Sequence, residues 1–274
     1  MSKRTHRRAV WWLPAAVLLI LFVIWQNNAL SVEEYPFVSS HLPQGWNGGR
    51  IAVVSDLHGK QFGANNETLL RALSEVQPDI IAITGDLCDS RSGDDFVPDL
   101  LSALQSIAPT YYVTGNHEWA AGLMPALREM LDEADVVYLR NTWQTVTRSG
   151  DDLILAGVDD PNGYADQPTP QEVADTVPEG AFWLLLAHRN NEYPTYGALG
   201  ADLIISGHAH GGLVRLPGTD GLFGPGAEWM PRWTNGFYAD YPSPMFTSRG
   251  LGNSVLIPRI FDRPELAVIT LKAE

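Results

Sequence analysis

Short apolar runs alternate with amphipathic segments through the first half of the chain, and each run ends in polar residues. Apolar runs of about four to eight residues bounded by turn-forming residues are typical of buried strands, whereas apolar positions repeating every three or four residues indicate helices. The pattern predicts strands at 51–54, 80–84 and 110–114, and helices at 65–77, 94–107 and 122–134. This alternation favours parallel βαβ units with right-handed crossovers.

The second half of the chain is richer in predicted strands. Apolar runs at 153–158, 182–187 and 203–206 predict three buried strands, and runs near 246–247 and 266–271 predict two more. A segment at 217–244 is dense in glycine, proline and aromatic residues. Because a loop of this length in a compact domain is usually functional or packed as its own unit, it is interpreted as a structured surface loop, a substrate lid or a membrane-contacting segment.

The first 30 residues differ in composition from the rest. Four basic residues, Lys3, Arg4, Arg7 and Arg8, precede the uncharged stretch 9–25. This stretch is short for a transmembrane helix, which needs about 20 residues, but long for the apolar region of a signal peptide, and no clear cleavage site follows it. We therefore predict an uncleaved transmembrane anchor within residues 1–30, with a cleaved signal peptide as the alternative. The basic residues predict a cytoplasmic N-terminus and an extracytoplasmic domain at the cell membrane.

Residues 31–49 are interpreted as a linker, and residues 50–274 as one α/β domain. The net charge of the chain is −14, and it becomes −18 for residues 31–274, because the first 30 residues contain four basic side chains and no acidic one. Such a surface repels polyanions, so a nucleic-acid polymer is a poor candidate substrate and is not expected as a partner. Cys88 is the only cysteine, so an internal disulfide is excluded. This residue is either a buried apolar residue or a thiol near the site.

Polar side chains follow the predicted strands, and five of the seven histidines are among them. Because ligands collect beyond the carboxyl ends of parallel strands, these side chains are expected to converge. The set comprises Asp56, His58, Asp86, Asn116, His117, His188, His208 and His210. Imidazole, carboxylate and amide oxygen suit zinc, manganese or iron, and the set exceeds the needs of one ion. We therefore predict two divalent metal ions that share a bridging carboxylate.

The order of these motifs also resembles that of a known family. Asp56-x-His58, Gly85-Asp86, Gly115-Asn116-His117-Glu118, His188 and Gly207-His208-x-His210 look like the motif series of the calcineurin-like metallophosphoesterases. The resemblance covers about residues 50–271. The N-terminal stretch, the Gly-His-Ala-His-Gly-Gly segment and the residues near 248–252 and 265 resemble the bacterial, membrane-anchored YaeI/YkuE-like branch. The family implies an α/β fold, an αββα sandwich of two mixed sheets.

The resemblance also implies a role for each matching residue. Asp56, His58 and His210 would bind one metal ion, Asn116, His188 and His208 the other, and Asp86 would bridge the two. His117 would protonate the leaving oxygen or stabilise the phosphate charge, and Glu118 would orient it. Arg189, which departs from the family pattern, is a candidate contact for a phosphate or sugar and is equally suited to a surface ion pair.

Together these features predict a membrane-tethered, dinuclear metallophosphoesterase. It would hydrolyse a phosphodiester, phosphomonoester or pyrophosphate bond of a phosphorylated small-molecule or lipid substrate, with lipid-linked or cell-envelope phosphates favoured because of the predicted anchor. One alternative is a hydrolase of soluble nucleotides or nucleotide-sugars. The other is a non-catalytic metal-binding scaffold, against which the complete ligand set and His117 argue.

Overall fold

The computed structural model describes residues 3–92 and 94–274, and the side chains of residues 3–11 and of Ala227 lie outside that description. The helices are α1 (Lys3–Asn28), α2 (Glu67–Val76), α3 (Val97–Ile107), α4 (Asn116–Ala120), α5 (Met124–Glu133), α6 (Pro170–Ala174) and α7 (Tyr193–Tyr196). The strands are β1 (Ser31–Ser39), β2 (Arg50–Val54), β3 (Ile80–Ile83), β4 (Thr110–Tyr112), β5 (Val137–Tyr138), β6 (Thr142–Arg148), β7 (Asp151–Gly157), β8 (Trp183–Arg189), β9 (Leu203–Gly207), β10 (Gly236–Tyr238), β11 (Met245–Thr247) and β12 (Glu265–Ala273).

The strands form two mixed sheets of six strands each. The first has the order β1-β12-β2-β3-β4-β5 and the second the order β10-β11-β9-β8-β7-β6. Strands β2, β3 and β4 pair in parallel, which confirms the parallel units predicted from the first half of the sequence. Strands β7, β8 and β9 also pair in parallel. Antiparallel pairing of β12 with β2 and of β6 with β7 makes both sheets mixed.

Alternate residues of each central strand pack on opposite faces, which divides the core into layers. In β2, Ile51 and Val53 belong to the cluster between the two sheets, whereas Ala52 and Val54 belong to the cluster under α2, α3 and α5. A third cluster packs α6 and α7 on the outer face of the second sheet. The layers follow the order helix, sheet, sheet, helix, as the predicted αββα sandwich requires.

Residues 31–39 form a strand where the sequence analysis predicts a linker. Strand β1 pairs in parallel with β12 from Ser31↔Glu265 to Ser39↔Ala273. Its side chains alternate between partly buried and exposed positions, and Tyr35 and Phe37 pack against the cluster between the sheets. Trp46 is buried in the same cluster. The segment therefore belongs to the domain, because its alternating apolar side chains complete the buried face of the first sheet.

The predicted anchor lies in α1, which continues to Asn28. Among the described residues, no helix is long and apolar enough to cross a membrane. The predicted transmembrane helix is therefore not supported, and the side chains of residues 9–11, at the start of the predicted span, lie outside the described part of the chain.

Candidate metal centre

The predicted site residues follow the strands of both sheets and meet at one edge of the sandwich. Asp56 and His58 follow β2, and Asp86 follows β3. Asn116 and His117 open α4 just after β4. From the second sheet, His188 lies near the end of β8, and His208 and His210 follow β9. The structure thus brings together every residue of the predicted ligand set.

Five of these residues have a left-handed backbone. The φ angles are 52° for Asp56, 49° for His58, 55° for Asp86, 68° for His208 and 49° for His210. This region is sparsely populated by residues other than glycine, and strained residues of this kind cluster at functional sites. The turns bend the chain sharply after the strands and aim successive side chains at the same point.

Two glycines make this close approach of the loops possible. A Cβ atom at Gly207 would collide with the hydroxyl of Ser55 and the carboxylate of Asp56, and a Cβ atom at Gly115 would collide with the carboxylate of Asp86. Each glycine therefore leaves room for a carboxylate of the site, which explains the glycine before the histidine and asparagine in these two motifs.

One group of ligand atoms is formed by Asp56, His58 and His210. The Nε2 atoms of His58 and His210 face each other at 3.3 Å, and Oδ1 of Asp56 lies 3.7 Å from Nε2 of His210. All three side chains are buried. Two imidazole nitrogens that converge with a carboxylate in a buried place are arranged to share a cation.

The second group is formed by Asp86, His188 and His208. Nδ1 of His208 lies 3.1 Å from Nε2 of His188, and the same Nε2 atom lies 3.2 Å from Oδ1 of Asn116. The backbone carbonyl of Thr84 lies 2.7 Å from Nδ1 of His188 and accepts its hydrogen bond. That bond leaves the lone pair of Nε2 for a metal ion, which is how ligand histidines are usually oriented.

Asp86 lies between the two groups. Its Oδ2 atom is 3.3 Å from Nε2 of His188 and 3.6 Å from Nε2 of His58. The same oxygen is buried and accepts no hydrogen bond from the described residues, whereas Oδ1 accepts one from the backbone N–H of His117 at 2.9 Å. A buried carboxylate oxygen without a donor, placed between two sets of imidazole nitrogens, fits a pair of divalent ions. The Asp and His groups are thus arranged to bind a dinuclear centre.

The pKa values at the site are set by burial, which opposes ionisation, and by the attraction between Asp86 and the neighbouring histidines. Burial lowers the pKa of His208 and His210 well below the usual value, so both rings are neutral and ready to bind metal. Burial also acts on His188, but the Asp86 carboxylate outweighs it and raises the pKa of His188 from 6.5 to about 10. Burial likewise opposes ionisation of Asp86, yet the nearby His188 and His58 hold its pKa well below the usual range.

Asp89 is a member of the site that the sequence analysis missed. Its Oδ2 atom lies 3.6 Å from Nδ1 of His58, and it groups with His58 and His117. Backbone N–H groups of Arg91 and Ser92 donate to its Oδ1 atom. Its position three residues after Asp86 is the signal that identifies it, because the turn after β3 folds back on the site within that distance.

His117 is not one of the predicted metal ligands, but it lies beside them. Its ring packs edge-on against the ring of His58 at a centroid distance of 4.7 Å, and its side chain lines the cavity over the site. It is only partly buried. Burial lowers its pKa, and the Asp86 carboxylate partly opposes that effect. A partly exposed imidazole beside the candidate metal ligands can transfer a proton to a bound substrate.

Glu118 does not have the position that the sequence analysis gives it. Its buried carboxylate accepts hydrogen bonds from the backbone N–H groups of Asp86 at 3.1 Å, Leu87 at 2.6 Å and Gly115 at 3.0 Å. Glu118 therefore fixes the turn that carries Asp86 and is not placed to orient the ring of His117. Burial and the neighbouring Asp86 carboxylate raise the pKa of Glu118 to about 8.

The site opens into a cavity of about 430 Å³. Its lining comprises Asp86, Asn116, His117, Arg189, Asn190, Asn191, His208, His210, Pro225, Gly226, Glu228, Ser254 and Val255. The segment at 217–244 thus supplies one wall of the site.

Arg189 lines the cavity and also donates to both oxygens of the buried Asp160, at 2.7 and 3.1 Å. The structure therefore shows Arg189 in an ion pair, but with a buried carboxylate and not at the surface. Cys88 is buried in the core under the helices.

The chain is similar in sequence and structure to known phosphoesterases. The sequence profile of the calcineurin-like phosphoesterase family matches residues 49–212. The chain is 26% identical over 260 residues to the uncharacterised metallophosphoesterase YkuE of Bacillus subtilis, which covers 90% of this chain and 87% of that protein. It is 28% identical over 229 residues to the phosphodiesterase YaeI of Escherichia coli, which covers 81% and 82% respectively. Among solved structures, the phosphopantetheinyl hydrolase PptH of Mycobacterium tuberculosis is similar with a TM-score of 0.46 and 14% identity, over 75% of this chain and 91% of that chain.

Proposed function

Because the chain belongs to the calcineurin-like phosphoesterase family and is a metallophosphoesterase, we propose that it cleaves the phosphodiester, phosphomonoester or pyrophosphate bond of a lipid-linked or cell-envelope substrate. The observation that carries the proposal of a dinuclear reaction is the position of Asp86 Oδ2, which is 3.3 Å from Nε2 of His188 and 3.6 Å from Nε2 of His58. Two divalent ions held there would supply Lewis acidity for hydrolysis at phosphorus.

The residues of the chain have separate roles in metal binding, proton transfer and positioning. Asp56, His58 and His210 would hold one ion, Asn116, His188 and His208 would hold the other, and Asp86 would be a ligand of both. His117 faces the cavity beside this set and donates a proton to the leaving oxygen. Glu118 holds the Asp86 turn by accepting hydrogen bonds from the backbone N–H groups of Asp86 and Leu87, so it keeps the Asp86 carboxylate in place.

The cavity contains few groups that can attract the negative charge of a phosphate. The domain is strongly acidic, and the guanidinium of Arg189 is already paired with Asp160. Phosphate charge would therefore be met chiefly by the metal ions and His117, with the side-chain N–H groups of Asn116 and Asn191 also in the lining of the cavity, whereas the amide of Asn190 already donates to the carbonyls of Arg232 and Trp233. This arrangement suits a compact phosphate group whose remaining part extends out of the cavity, as in a lipid headgroup.

The reaction is tested with purified, metal-depleted protein to which manganese, zinc or iron is added. We expect metal-dependent hydrolysis of bis(p-nitrophenyl) phosphate, with p-nitrophenyl phosphate and a nucleotide pyrophosphate assayed in parallel to rank the three bond types. Asp159→Asn is the matched control for the substitution Asp86→Asn. This buried aspartate accepts hydrogen bonds from Tyr138 and Thr114 and lies outside the ligand groups. Absence of hydrolysis with every metal would contradict the proposed reaction and favour a non-catalytic metal-binding scaffold.

The substrate class is tested by comparing a lipid phosphodiester in vesicles with a soluble nucleotide-sugar at equal concentration. Faster turnover in vesicles supports the lipid-linked substrate, and faster turnover of the nucleotide-sugar favours the soluble alternative. We further propose that the domain is extracytoplasmic, on the basis of the basic residues that precede residues 9–25. Protease added to intact spheroplasts should then digest the domain, and protection until lysis would reverse the orientation.

A further inference from the structure

Exposed apolar side chains stand next to the residues that line the cavity. Leu256 is 98% exposed and follows Ser254 and Val255, which form part of the lining. On the other wall, Trp229 is 63% and Met230 54% exposed, directly after the lining residue Glu228. Large apolar residues exposed to this degree around a cavity mark an interaction surface.

The two segments that carry these residues are joined to each other by backbone hydrogen bonds. We refer to residues 213–230 and 253–261 as the mouth loops. Ile260 donates to the carbonyl of Leu213 at 2.8 Å, and Arg215 donates to the carbonyl of Ile260 at 3.0 Å. The first of the mouth loops starts three residues after His210. The exposed apolar residues are thus held in place by the same backbone that carries a metal ligand.

Helix α1 is attached to the same region. The rings of Phe22 and Phe261 pack at a centroid distance of 5.5 Å. Asn27 exchanges two hydrogen bonds with the backbone of Arg259, at 2.8 and 3.0 Å, and its carbonyl accepts a hydrogen bond from Lys60. Lys60 follows His58 by two residues. The end of α1 therefore contacts both the mouth loops and a loop that carries a metal ligand.

The side chains of α1 have the pattern of a helix in contact with lipid. Between Trp12 and Trp25 no residue is charged, and most of the large apolar side chains there are exposed. Tryptophan at the limits of an apolar segment is typical of the level of the lipid headgroups. The guanidinium of Arg263 lies 5.2 Å from the ring of Trp25, which places a cation at that same level. Four basic residues at positions 3–8 add positive charge that complements anionic headgroups.

We propose that α1 and the mouth loops form one surface that contacts the lipid bilayer, and that the metal centre opens at the level of the headgroups. The exposed side chains of Leu256, Trp229 and Met230 then lie in lipid around the mouth of the cavity. A lipid substrate enters with its phosphate towards His117 while its apolar chains stay in the membrane. This assignment of the entry route rests on the proposed hydrolysis at the metal centre, but the lipid contact itself does not.

The contact is tested with a fluorescent label on the full chain. Because Cys88 is buried, a cysteine introduced by Leu256→Cys is the site that reacts with an environment-sensitive dye such as NBD. Val38→Cys is the matched control, since Val38 is also exposed, at 57%, but lies near the far end of β1 from α1. Each labelled protein is bound to vesicles of phosphatidylcholine and phosphatidylglycerol. We expect a blue-shifted emission and several-fold weaker quenching by iodide at position 256 but not at position 38.

Equal quenching at the two positions would overturn the proposal. Protection of the label at position 256 without vesicles, increasing with protein concentration, would also overturn it, because a second copy of the chain would then cover the surface. Metal-dependent hydrolysis of bis(p-nitrophenyl) phosphate is measured in the same samples. A protected label without hydrolysis contradicts the proposed function alone, and hydrolysis without protection contradicts the lipid contact alone.

Discussion

Asp86 connects the two halves of the metal centre, because one of its carboxylate oxygens faces ligands from both sheets. Asp86→Asn should therefore reduce affinity for both ions by more than the 10- to 100-fold, roughly, that loss of an outer-shell partner costs. We expect metal content, measured by elemental analysis after dialysis, to fall from two ions per chain towards one or none. Two tightly held ions and near-normal turnover would show that Asp86 is not the bridge.

His117 is the residue whose predicted role is proton transfer and not metal binding. His117→Gln should keep both metals and the fold, while kcat falls by about 10²-fold or more on an ester with a poor leaving group. A p-nitrophenyl ester should lose less, because its leaving oxygen hardly needs a proton. His41→Gln, on an exposed side chain paired with Asp202, serves as the control. Loss of metal in the His117 variant would make this residue a ligand.

The protonation of His117 adds a pH test to the same experiment. Since burial lowers its pKa below 6.5, the protonated fraction falls as the pH rises through that lower value. The rate on the poor leaving group, divided by the rate on the p-nitrophenyl ester, should therefore rise as the pH is lowered. The ratio should not change with pH in His117→Gln.

The ligand positions could be predicted from sequence because each follows an apolar run that forms a strand. The supporting residues could not be predicted in the same way. Glu118 is adjacent to His117 in sequence, but its three hydrogen-bond donors include Asp86 and Leu87 from a different loop. The partner of Arg189 is Asp160, which reaches it only once β7 and β8 lie side by side. These roles depend on tertiary contacts that local patterns do not record.

At the scale of elements, the central strands were predictable and the edge strands were not. Strands β2, β3 and β9 are continuous apolar runs because both of their faces are buried. Strand β1 instead contains Glu33, Glu34 and Pro36. It lies at the edge of the first sheet, where proline and charged residues are tolerated because only one side of the strand needs hydrogen bonds. Its alternating pattern is thus weak enough to be interpreted as a linker.

The contribution of β1 to stability can be measured by truncation. A chain that starts at Arg50 lacks β1 and Trp46, so it loses apolar side chains whose burial contributes about 1.5–3 kcal/mol each when complete. We expect Tm to fall by roughly 10 °C or more relative to a chain that starts at Leu30, given about 2–4 °C per kcal/mol for a domain of this size. Equal Tm values in scanning calorimetry would mean that residues 31–49 act as a linker after all.

At the scale of the whole molecule, metal binding is coupled to proton release. The pKa of His188 is raised from 6.5 to about 10 in the metal-free protein, so its ring is protonated at pH 8 and must lose that proton to bind a metal ion. The stabilisation from the protonated ring is complete below pH 6.5 and disappears as the pH rises through 10.

We expect release of at least about one proton per chain when zinc or manganese binds at pH 8. Isothermal titration calorimetry in two buffers of different ionisation enthalpy measures this number, and His41→Gln should release the same number. Binding heats that are identical in the two buffers would show that His188 is neutral before the metal arrives.

The order of strands in the first sheet has a consequence for synthesis of the protein. Strand β12 is the last strand of the chain and lies between β1 and β2, the first two. Until β12 is made, β1 and β2 each present an unpaired edge, and the buried faces beside them are open. The first sheet is therefore completed only after β12 has been synthesised, and pairing over such a sequence separation is slow. The first sheet of a growing chain stays incomplete until β12 is available, so chaperones that bind unpaired strands can act on the chain until then.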